Sequence, residues 1–313
     1  MINVNQLVKR YKKADRNAVD GISFDVEQGS FFALLGPNGA GKTTTISILT
    51  TTLAPTSGTV TIAGHDIVAE QSEVRQGVGI VFQKPSLDLN LTAEENVRFH
   101  AQLYGLYPFR PTFRTMPAKY RGDVENLADV LGIRRDIFKP IKTFSGGMKR
   151  KLEILRSLIH TPRVLFLDEP TAGLDADSRR NLWDYLKRVR AQSGTTVFVT
   201  THYLEEAEEA DVVCIVDNGR IVTMGAPEAV KNEFARGSLV LDADDRDALR
   251  TELQRLDVRF TEHGHFEVAV AGAGAQRMAR EISVPLTRFE TRIPTLEDAY
   301  LKLLAASAAD PAP

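Results

Sequence analysis

The sequence predicts an α/β protein with a mainly parallel sheet and a second, smaller α/β domain towards the C-terminus. Three observations predict it. A glycine-rich loop joins an apolar run to a helical one near the N-terminus, strands then alternate with helices, and the last quarter has a different order of elements. Alternating strands and helices are typical of parallel sheets, which bind ligands at the carboxyl ends of their strands.

Composition narrows the class of protein. At 313 residues the chain exceeds the usual size of one domain, and its 43% hydrophobic residues are enough for a packed core. A net charge of −2 with 26% charged residues argues against a protein made mainly to bind nucleic acid or an acidic membrane. The single cysteine, Cys214, lies in a strand-like run and indicates a buried residue in a reducing compartment.

Membrane and targeting segments are not predicted. The N-terminal run MINVNQLVKRYKK lacks the apolar core of a signal peptide, and no apolar stretch is long enough to span a bilayer. Any membrane role would therefore need a separate partner.

The first eighty residues contain four predicted strands, in GISFDVEQG, SFFALLG, GTVTIAG and GVGIVFQ. The second strand runs into GPNGAGKTT, and a helix is predicted from about Gly41. Glycines there let backbone N–H groups converge on phosphate oxygens, and the helix N-terminus adds a positive dipole. The loop is predicted to bind ATP, with Lys42 on the β- and γ-phosphates and Thr43 on Mg²⁺. The predicted contacts are Gly36, Pro37, Asn38, Gly39, Ala40, Gly41, Lys42, Thr43 and Thr44.

Helical periodicity dominates residues 91–158 and predicts a helical insertion, in TAEENVRFHAQLYGL, RGDVENLADVLGI and GGMKRKLEILRSLI. Strand signals return in RVLFLDEP, TTVFVTTH and DVVCIVDNGRIVTMG, with the helical run SRRNLWDYLKRVRAQ between the first two. In VLFLDEP an apolar strand ends in two carboxylates. Asp168 is predicted to hold magnesium and Glu169 to polarise the attacking water.

The C-terminal region alternates as β, α, β, β, α, β, in GSLVLDA, DRDALRTELQRL, VRFTEH, HFEVAVAG, GAQRMAREI and LTRFET. That order predicts a small split-βαβ domain.

The glycine turn FSGGM, which leads into a helix without any P-loop lysine, completes a set of motifs. Because these motifs occur together and in this order, residues 2–224 resemble the ATP-binding subunits of ABC transporters. The resemblance implies an antiparallel β subdomain beside the parallel sheet. It also implies a head-to-tail homodimer, in which the signature of one subunit closes over the γ-phosphate held by the other. The signature residues would be Ser145, Gly146 and Gly147, with Phe144 and Met148 departing from the usual pattern at the edges.

Four further positions match the family. The resemblance implies that Tyr11 stacks on adenine, and that Gln83 lies near magnesium where the helical insertion joins the core. It places Asp175 in the turn that connects paired subunits. His202 matches the switch histidine beside the γ-phosphate, whereas the other histidines are interpreted as structural.

The terminal run PTLEDAYLKLLA resembles the end of the daunorubicin-resistance group of ATP-binding subunits. This implies export of drugs or other amphipathic compounds through a separate integral-membrane permease. The subunit would be peripheral, at the cytoplasmic face of the membrane. The expected domains are an ATPase domain at 1–228, an accessory domain at 235–306 and a flexible tail at 307–313.

Two alternatives remain at this point. A soluble ABC ATPase acting on nucleic acid or ribosomes would share the core, but would usually carry a tandem core, a long coiled coil or zinc-binding cysteines, none of which is visible. The C-terminal domain could instead bind a regulatory ligand or simply stabilise the dimer, since fold alone does not establish function.

Overall fold

The structure is a computed structural model that describes residues 1–84, 86–234, 237–262, 264–269, 274–292 and 294–309. The chain divides into two compact units, Met1–Met224 and Gly225–Pro313. His263, interpreted above as structural, lies outside the described residues.

The first unit contains two sheets. Its strands are β1 (Ile2–Lys9), β2 (Val19–Val26), β3 (Phe31–Leu35), β4 (Ser57–Ile62), β5 (His65–Asp66), β6 (Val78–Val81), β7 (Val164–Asp168), β8 (Thr196–Thr201), β9 (Val212–Asp217) and β10 (Arg220–Gly225). One sheet has the order β2-β1-β4-β5 and is antiparallel. The other has the order β10-β9-β3-β8-β7-β6, and its pairs from β9 to β6 are parallel. The predicted α/β class, parallel sheet and antiparallel subdomain are confirmed.

The helices of this unit are α1 (Lys42–Leu49), α2 (Gln71–Gly77), α3 (Ala93–Leu103), α4 (Ala118–Val130), α5 (Gly146–Leu158), α6 (Ala176–Ser193) and α7 (Leu204–Ala207). Three of them, α3 to α5, lie between β6 and β7, within the region predicted as an insertion. Helix α3 begins with a capping box, in which Thr92 accepts from the backbone N–H of Glu95 and the Glu95 carboxylate accepts from that of Thr92.

Burial explains the strand sequences. All residues of β3 and β7 are buried, which is why both read as continuous apolar runs rather than as alternating ones. Phe24 of the antiparallel sheet stacks on Phe32 of β3, with ring centroids 5.2 Å apart, so the core lies between the two sheets. Cys214 is buried in β9, and this burial raises the pKa of its thiol to about 12.

Three elements near the N-terminus were not predicted from the sequence: β1, the two-residue strand β5, and α2. The pairing of β1 with β2 shifts register between Val4 and Leu7, and Gln6 has φ 46°. This bulge breaks the two-residue alternation by which a strand is recognised. Helix α2 spans only seven residues and buries one side chain, Val74, so it shows little periodicity.

The second unit contains α8 (Pro227–Phe234), β11 (Ser238–Ala243), α9 (Arg246–Arg255), β12 (Phe260–Glu262), β13 (Phe266–Ala269), α10 (Gly274–Glu281), β14 (Leu286–Arg292) and α11 (Leu296–Ala309). Its sheet order is β12-β13-β11-β14, with antiparallel neighbours. The predicted split-βαβ order is confirmed. Helix α11 continues to Ala309, so residues 307–309 are helical rather than part of a tail, and residues 310–313 lie outside the description.

Candidate active site

The phosphate-binding loop lies between the buried strand β3 and helix α1. Gly41 is the N-cap of α1, with φ 101°. Because glycine has no side chain, Gly41 makes no side-chain hydrogen bond to the backbone N–H groups of the first turn. A Cβ on Gly36 would lie 2.3 Å from the carbonyl oxygen of Val216, and one on Gly41 2.3 Å from that of Ala18. A larger residue at either position would require the carbonyl or the loop to move, and the loop ends at the N-terminus of α1.

Lys42 lies across this loop. Its Nζ donates to the carbonyl oxygens of Gly36 (2.7 Å) and Pro37 (2.9 Å), and the side chain is buried. Burial lowers the pKa of Lys42, while the nearby charges of Glu169 and Asp168 oppose that shift. The lysine is therefore held by carbonyl groups of its own loop, and the charges of Glu169 and Asp168 favour its protonated form.

Glu169 is the centre of the polar contacts. Gln83 Nε2 donates to its Oε2 at 2.9 Å, and His202 Nδ1 lies 3.2 Å from its Oε1. Because a carboxylate oxygen accepts, Nδ1 carries the hydrogen in this pair. The three residues come from the ends of β6, β7 and β8, which are neighbours in the parallel sheet. The structure thus brings together the residues that were predicted to lie beside the attacking water, the magnesium ion and the γ-phosphate.

Asp168 is buried at the last position of β7, directly opposite Thr200 of β8. The Thr200 hydroxyl donates to Asp168 Oδ1. Burial raises the pKa of Asp168, although this hydrogen bond and the charges of Arg150 and Lys42 oppose the shift. The carboxylate is therefore oriented by its neighbouring strand.

The aromatic residue predicted to contact adenine lies beside the loop. Tyr11 is 46% exposed, so its ring is accessible, and its hydroxyl lies 3.2 Å from Thr44 Oγ1. Thr43 is exposed in the first turn of α1. These positions leave an aromatic face and a hydroxyl available next to the phosphate cradle.

The signature turn and Asp175 act locally as helix caps. Ser145 Oγ accepts from the backbone N–H of Met148 at 3.2 Å, so it is the N-cap of α5, whose first residues are Gly146 and Gly147. Asp175 caps α6 by accepting from the Ser178 N–H at 2.8 Å. Within the part of the chain that the structure describes, no hydrogen bond or ion pair joins either cap to the P-loop.

Two buried charged residues near the site were not predicted from the sequence. Arg150 of α5 is 6% exposed and donates to main-chain carbonyls around Glu169 and Gln83. Glu206 of α7 is 1% exposed and accepts from the hydroxyls of Thr171 and Thr201. Burial raises its pKa. In sequence both resemble charged residues of an exposed helix face, so no local pattern distinguishes them.

Two of the remaining histidines form a half-buried aromatic cluster with a tyrosine. Tyr104 lies between His100 and His160, with its ring centroid 4.4 Å from each of theirs. Burial lowers the pKa of His100 to about 3, and the neighbouring positive charge of Arg156 adds to the shift. The cluster packs α3 against the end of α5.

Two features are absent from the described residues. No group of three or more His, Cys, Asp or Glu side chains is arranged to hold a metal ion by itself. No helix in the described ranges is both long and apolar enough to cross a membrane.

Comparison with known proteins identifies the family. Residues 19–172 match the family described as "ABC transporter". The chain is 36% identical over 311 residues to "Nod factor export ATP-binding protein I" of Ralstonia nicotianae, covering 97% of this chain and 93% of the relative. It is 39% identical over 256 residues to "Daunorubicin/doxorubicin resistance ATP-binding protein DrrA" of Streptomyces peucetius, covering 82% of this chain and 74% of the relative.

Solved structures agree with the sequence relatives. "Structure of ATP binding subunit of ABC transporter" superposes with a TM-score of 0.66 at 28% identity, covering 75% of this chain and 93% of that one. "Dimeric structure of a post-hydrolysis state of the ATP-binding cassette MJ0796 bound to ADP and Pi" superposes with a TM-score of 0.64 at 25% identity, covering 72% and 98%. The chain therefore belongs to the ATP-binding subunits of ABC transporters and is an ATPase of that family.

Proposed function

We propose that this ATPase hydrolyses ATP with Glu169 as the group that orients and deprotonates the attacking water. One observation carries the proposal, the pair of hydrogen bonds by which Gln83 and His202 hold the two oxygens of the Glu169 carboxylate. A carboxylate fixed at both oxygens beside Lys42 has the position and the charge of a general base next to a phosphate site.

The other site residues are assigned by position. Lys42 and the backbone N–H groups of Gly36 and of residues 38–41 would bind the phosphates. Tyr11 would stack on the adenine, and His202 would contact the γ-phosphate. The open ring of Tyr11 beside the cradle supports its assignment.

The chain also fits a magnesium ion shared with the nucleotide. Mg²⁺ in phosphoryl-transfer sites commonly takes one or two protein oxygens and completes its shell with phosphate and water, so a cluster of three acidic ligands is not needed. Asp168, Thr43 and Gln83 would supply oxygen ligands around the loop, and the orientation of Asp168 by Thr200 supports this fit. When bound, the ion would neutralise charge that develops on the phosphate oxygens.

We further infer that two copies pair head to tail, with Ser145, Gly146 and Gly147 of each contacting the nucleotide of the other and Asp175 near the contact. Two features support this arrangement. The signature turn makes no hydrogen bond to the P-loop of its own chain among the described residues, and a structural relative is described as a dimer with ADP and Pi. The first turn of α5 would supply N–H groups to the partner's γ-phosphate.

The dimer would power a separate integral-membrane permease from the cytoplasmic face, as a peripheral subunit. The names of the relatives, Nod factor export and daunorubicin resistance, support export of amphipathic compounds. Nothing in these relatives favours the alternative of an ATPase that acts on nucleic acid or ribosomes. We propose residues 1–228 as the ATPase domain and 235–306 as an accessory domain.

Glu169→Gln tests the chemical proposal. We expect ATP binding to persist while single-turnover hydrolysis slows by about 10²–10⁴-fold, the usual cost of losing a positioned general base. Glu73→Gln, at an exposed position of α2, is the matched control and should hydrolyse ATP at the wild-type rate. Hydrolysis by Glu169→Gln at that rate would remove Glu169 from the mechanism.

Isolation of the native subunit from its source cells tests whether it associates with a membrane permease. Recovery from the membrane fraction with one polytopic protein would support the transport role. Recovery with nucleic acid or ribosomes from the soluble fraction would favour the alternative.

A further inference from the structure

Arg150 makes an unusual set of contacts for a buried arginine. Its Nε donates to the carbonyl oxygen of Pro170 at 2.8 Å, its Nη2 to that of Asp168 at 2.8 Å, and its Nη1 to that of Phe82 at 2.5 Å. Nη1 also lies 3.4 Å from a carboxylate oxygen of Glu153 on the same helix. The guanidinium therefore binds three main-chain positions on two separate segments.

These three carbonyls flank the proposed hydrolytic residues. Asp168 and Pro170 lie on either side of Glu169, and Phe82 immediately precedes Gln83. Arg150 thus holds the backbone of both partners in the Gln83–Glu169 hydrogen bond, without touching either side chain itself. A shift of either segment would change that bond.

The backbone of Glu169 needs such support. Its φ is 46°, in the left-handed region, where the backbone of a residue with a side chain is strained. Strained conformations of this kind persist only where the surrounding structure holds them. Carbonyl contacts on both sides of Glu169, together with its N–H bond to the Thr200 carbonyl at 3.1 Å, provide that restraint.

Arg150 also lies on the helix that begins at the signature turn. It follows Ser145, the N-cap of α5, by five residues, or about 7.5 Å along the helix axis. The next turns of the same helix bind the following part of the loop after β6: Glu153 Oε1 accepts from the Ser86 N–H at 2.8 Å, and Arg156 Nη1 donates to the Ser86 carbonyl at 2.8 Å. One rigid element therefore carries the turn and the side chains that hold this loop.

We propose that Arg150 is a positioning residue for Glu169 and Gln83, through which displacement of the signature turn at its own helix N-terminus alters the hydrolytic site of the same chain. The inference rests on the proposed role of Glu169. A planar guanidinium with five fixed N–H donors suits three carbonyls that converge on it, whereas an ammonium group has three donors at one point.

Arg150→Lys tests the proposal in the full chain, because it keeps the positive charge and removes the planar guanidinium that binds the three carbonyls. We expect kcat per ATP-binding site to fall about 10–100-fold while the Kd for ATP changes less than threefold. Counting sites by ATP binding removes any contribution from unfolded protein. Arg98→Lys is the matched control, since Arg98 is also buried, at 4% exposure, but pairs with Glu94 in α3. It should lower thermal stability and leave kcat per site unchanged.

A double-mutant cycle separates positioning from general packing. If Arg150 acts through Glu169, then adding Arg150→Lys to Glu169→Gln should change the residual hydrolysis less than twofold, because the group being positioned is already gone. A full multiplicative loss in the double variant would overturn the proposal. So would an equal fall of kcat per site in Arg98→Lys.

A failure of the Arg150 variants to fold would also decide the question. Arg150→Gln is measured alongside, because its amide retains a donor for these carbonyls without placing an unpaired charge in the interior. Loss of ATP binding in both variants would overturn the proposal in favour of a purely structural arginine. If Glu169→Gln alone hydrolyses ATP at the wild-type rate, the proposed function fails. If Glu169→Gln is slow but Arg150→Lys is not, only this inference fails.

Discussion

Alanine substitutions at three glycines of the phosphate loop separate backbone strain from steric clash. Gly39 has φ 86°, and a Cβ added there meets nothing within 4 Å. Gly36 lies outside the left-handed region, but its Cβ would be 2.3 Å from the Val216 carbonyl oxygen. Gly41 combines both problems, with φ 101° and a Cβ 2.3 Å from the Ala18 carbonyl oxygen.

The expected losses of stability follow from the backbone strain and the steric clash at each glycine. Gly39→Ala should lower the free energy of unfolding by roughly 1–2 kcal/mol through left-handed strain alone. Gly36→Ala should cost about 1–3 kcal/mol, as overpacking does, because the carbonyl or the loop must move. Gly41→Ala should lower the free energy of unfolding by about 2–5 kcal/mol, which is close to the sum of the strain at Gly39 and the clash at Gly36. Of the three substitutions, it should weaken ATP binding the most.

The assay is denaturant unfolding followed by the fluorescence of Trp183. This is the single tryptophan of the chain, and it is buried in α6, so its signal reports the first unit. ATP affinity is measured in parallel with a fluorescent nucleotide analogue. A Gly41→Ala protein as stable as Gly39→Ala would refute the reasoning, because it would show that the loop does not approach Ala18 closely.

Two further predictions concern Tyr11 and His100. Tyr11→Ala should weaken ATP binding by about 5- to 150-fold, since stacking of an aromatic ring on a base contributes about 1–3 kcal/mol. Tyr11→Phe should bind ATP within about threefold of wild type in the same titration, because the ring is kept and only an exposed hydrogen bond to Thr44 is lost; equal losses would assign the effect to the hydroxyl. For His100, the folded pKa of about 3 lies below the ordinary histidine pKa of 6.5, so the folded state binds fewer protons, and stability should fall as pH decreases from about 6.5 towards 3. The limiting slope is about 1.4 kcal/mol per pH unit. His100→Phe should reduce this slope in Trp183-detected unfolding at pH 7, 6 and 5; an unchanged slope in His100→Phe would contradict a neutral His100 in the folded state.

Much of the fold and the nucleotide loop could be predicted from the sequence because their causes are local. The P-loop depends on a few consecutive residues, and its glycines are required by backbone conformation and close approach within one turn. The C-terminal domain was predicted from the order of its strands and helices, and the observed sheet order confirms it. Strand β1 was missed because a bulge near Gln6 interrupts its alternation.

The residues around Glu169 show the limit of local patterns. The family resemblance implied roles for Gln83 and His202, but their hydrogen bonds to Glu169 span 86 and 33 residues. Arg150 and Glu206 have no sequence signature, since a charged residue in a helix is usually exposed and only its packing partners make it buried.

The sequence by itself determined the α/β class, the phosphate cradle and the chemical types available at the strand ends, because backbone propensity and hydrophobic periodicity act over a few residues. Only the tertiary structure decided which of those groups meet. Pairing of β6, β7 and β8 brings Gln83, Glu169 and His202 together. The packing of α5 places Arg150 against the backbone next to Gln83 and Glu169. Such contacts depend on the relative placement of distant segments, which no local pattern contains.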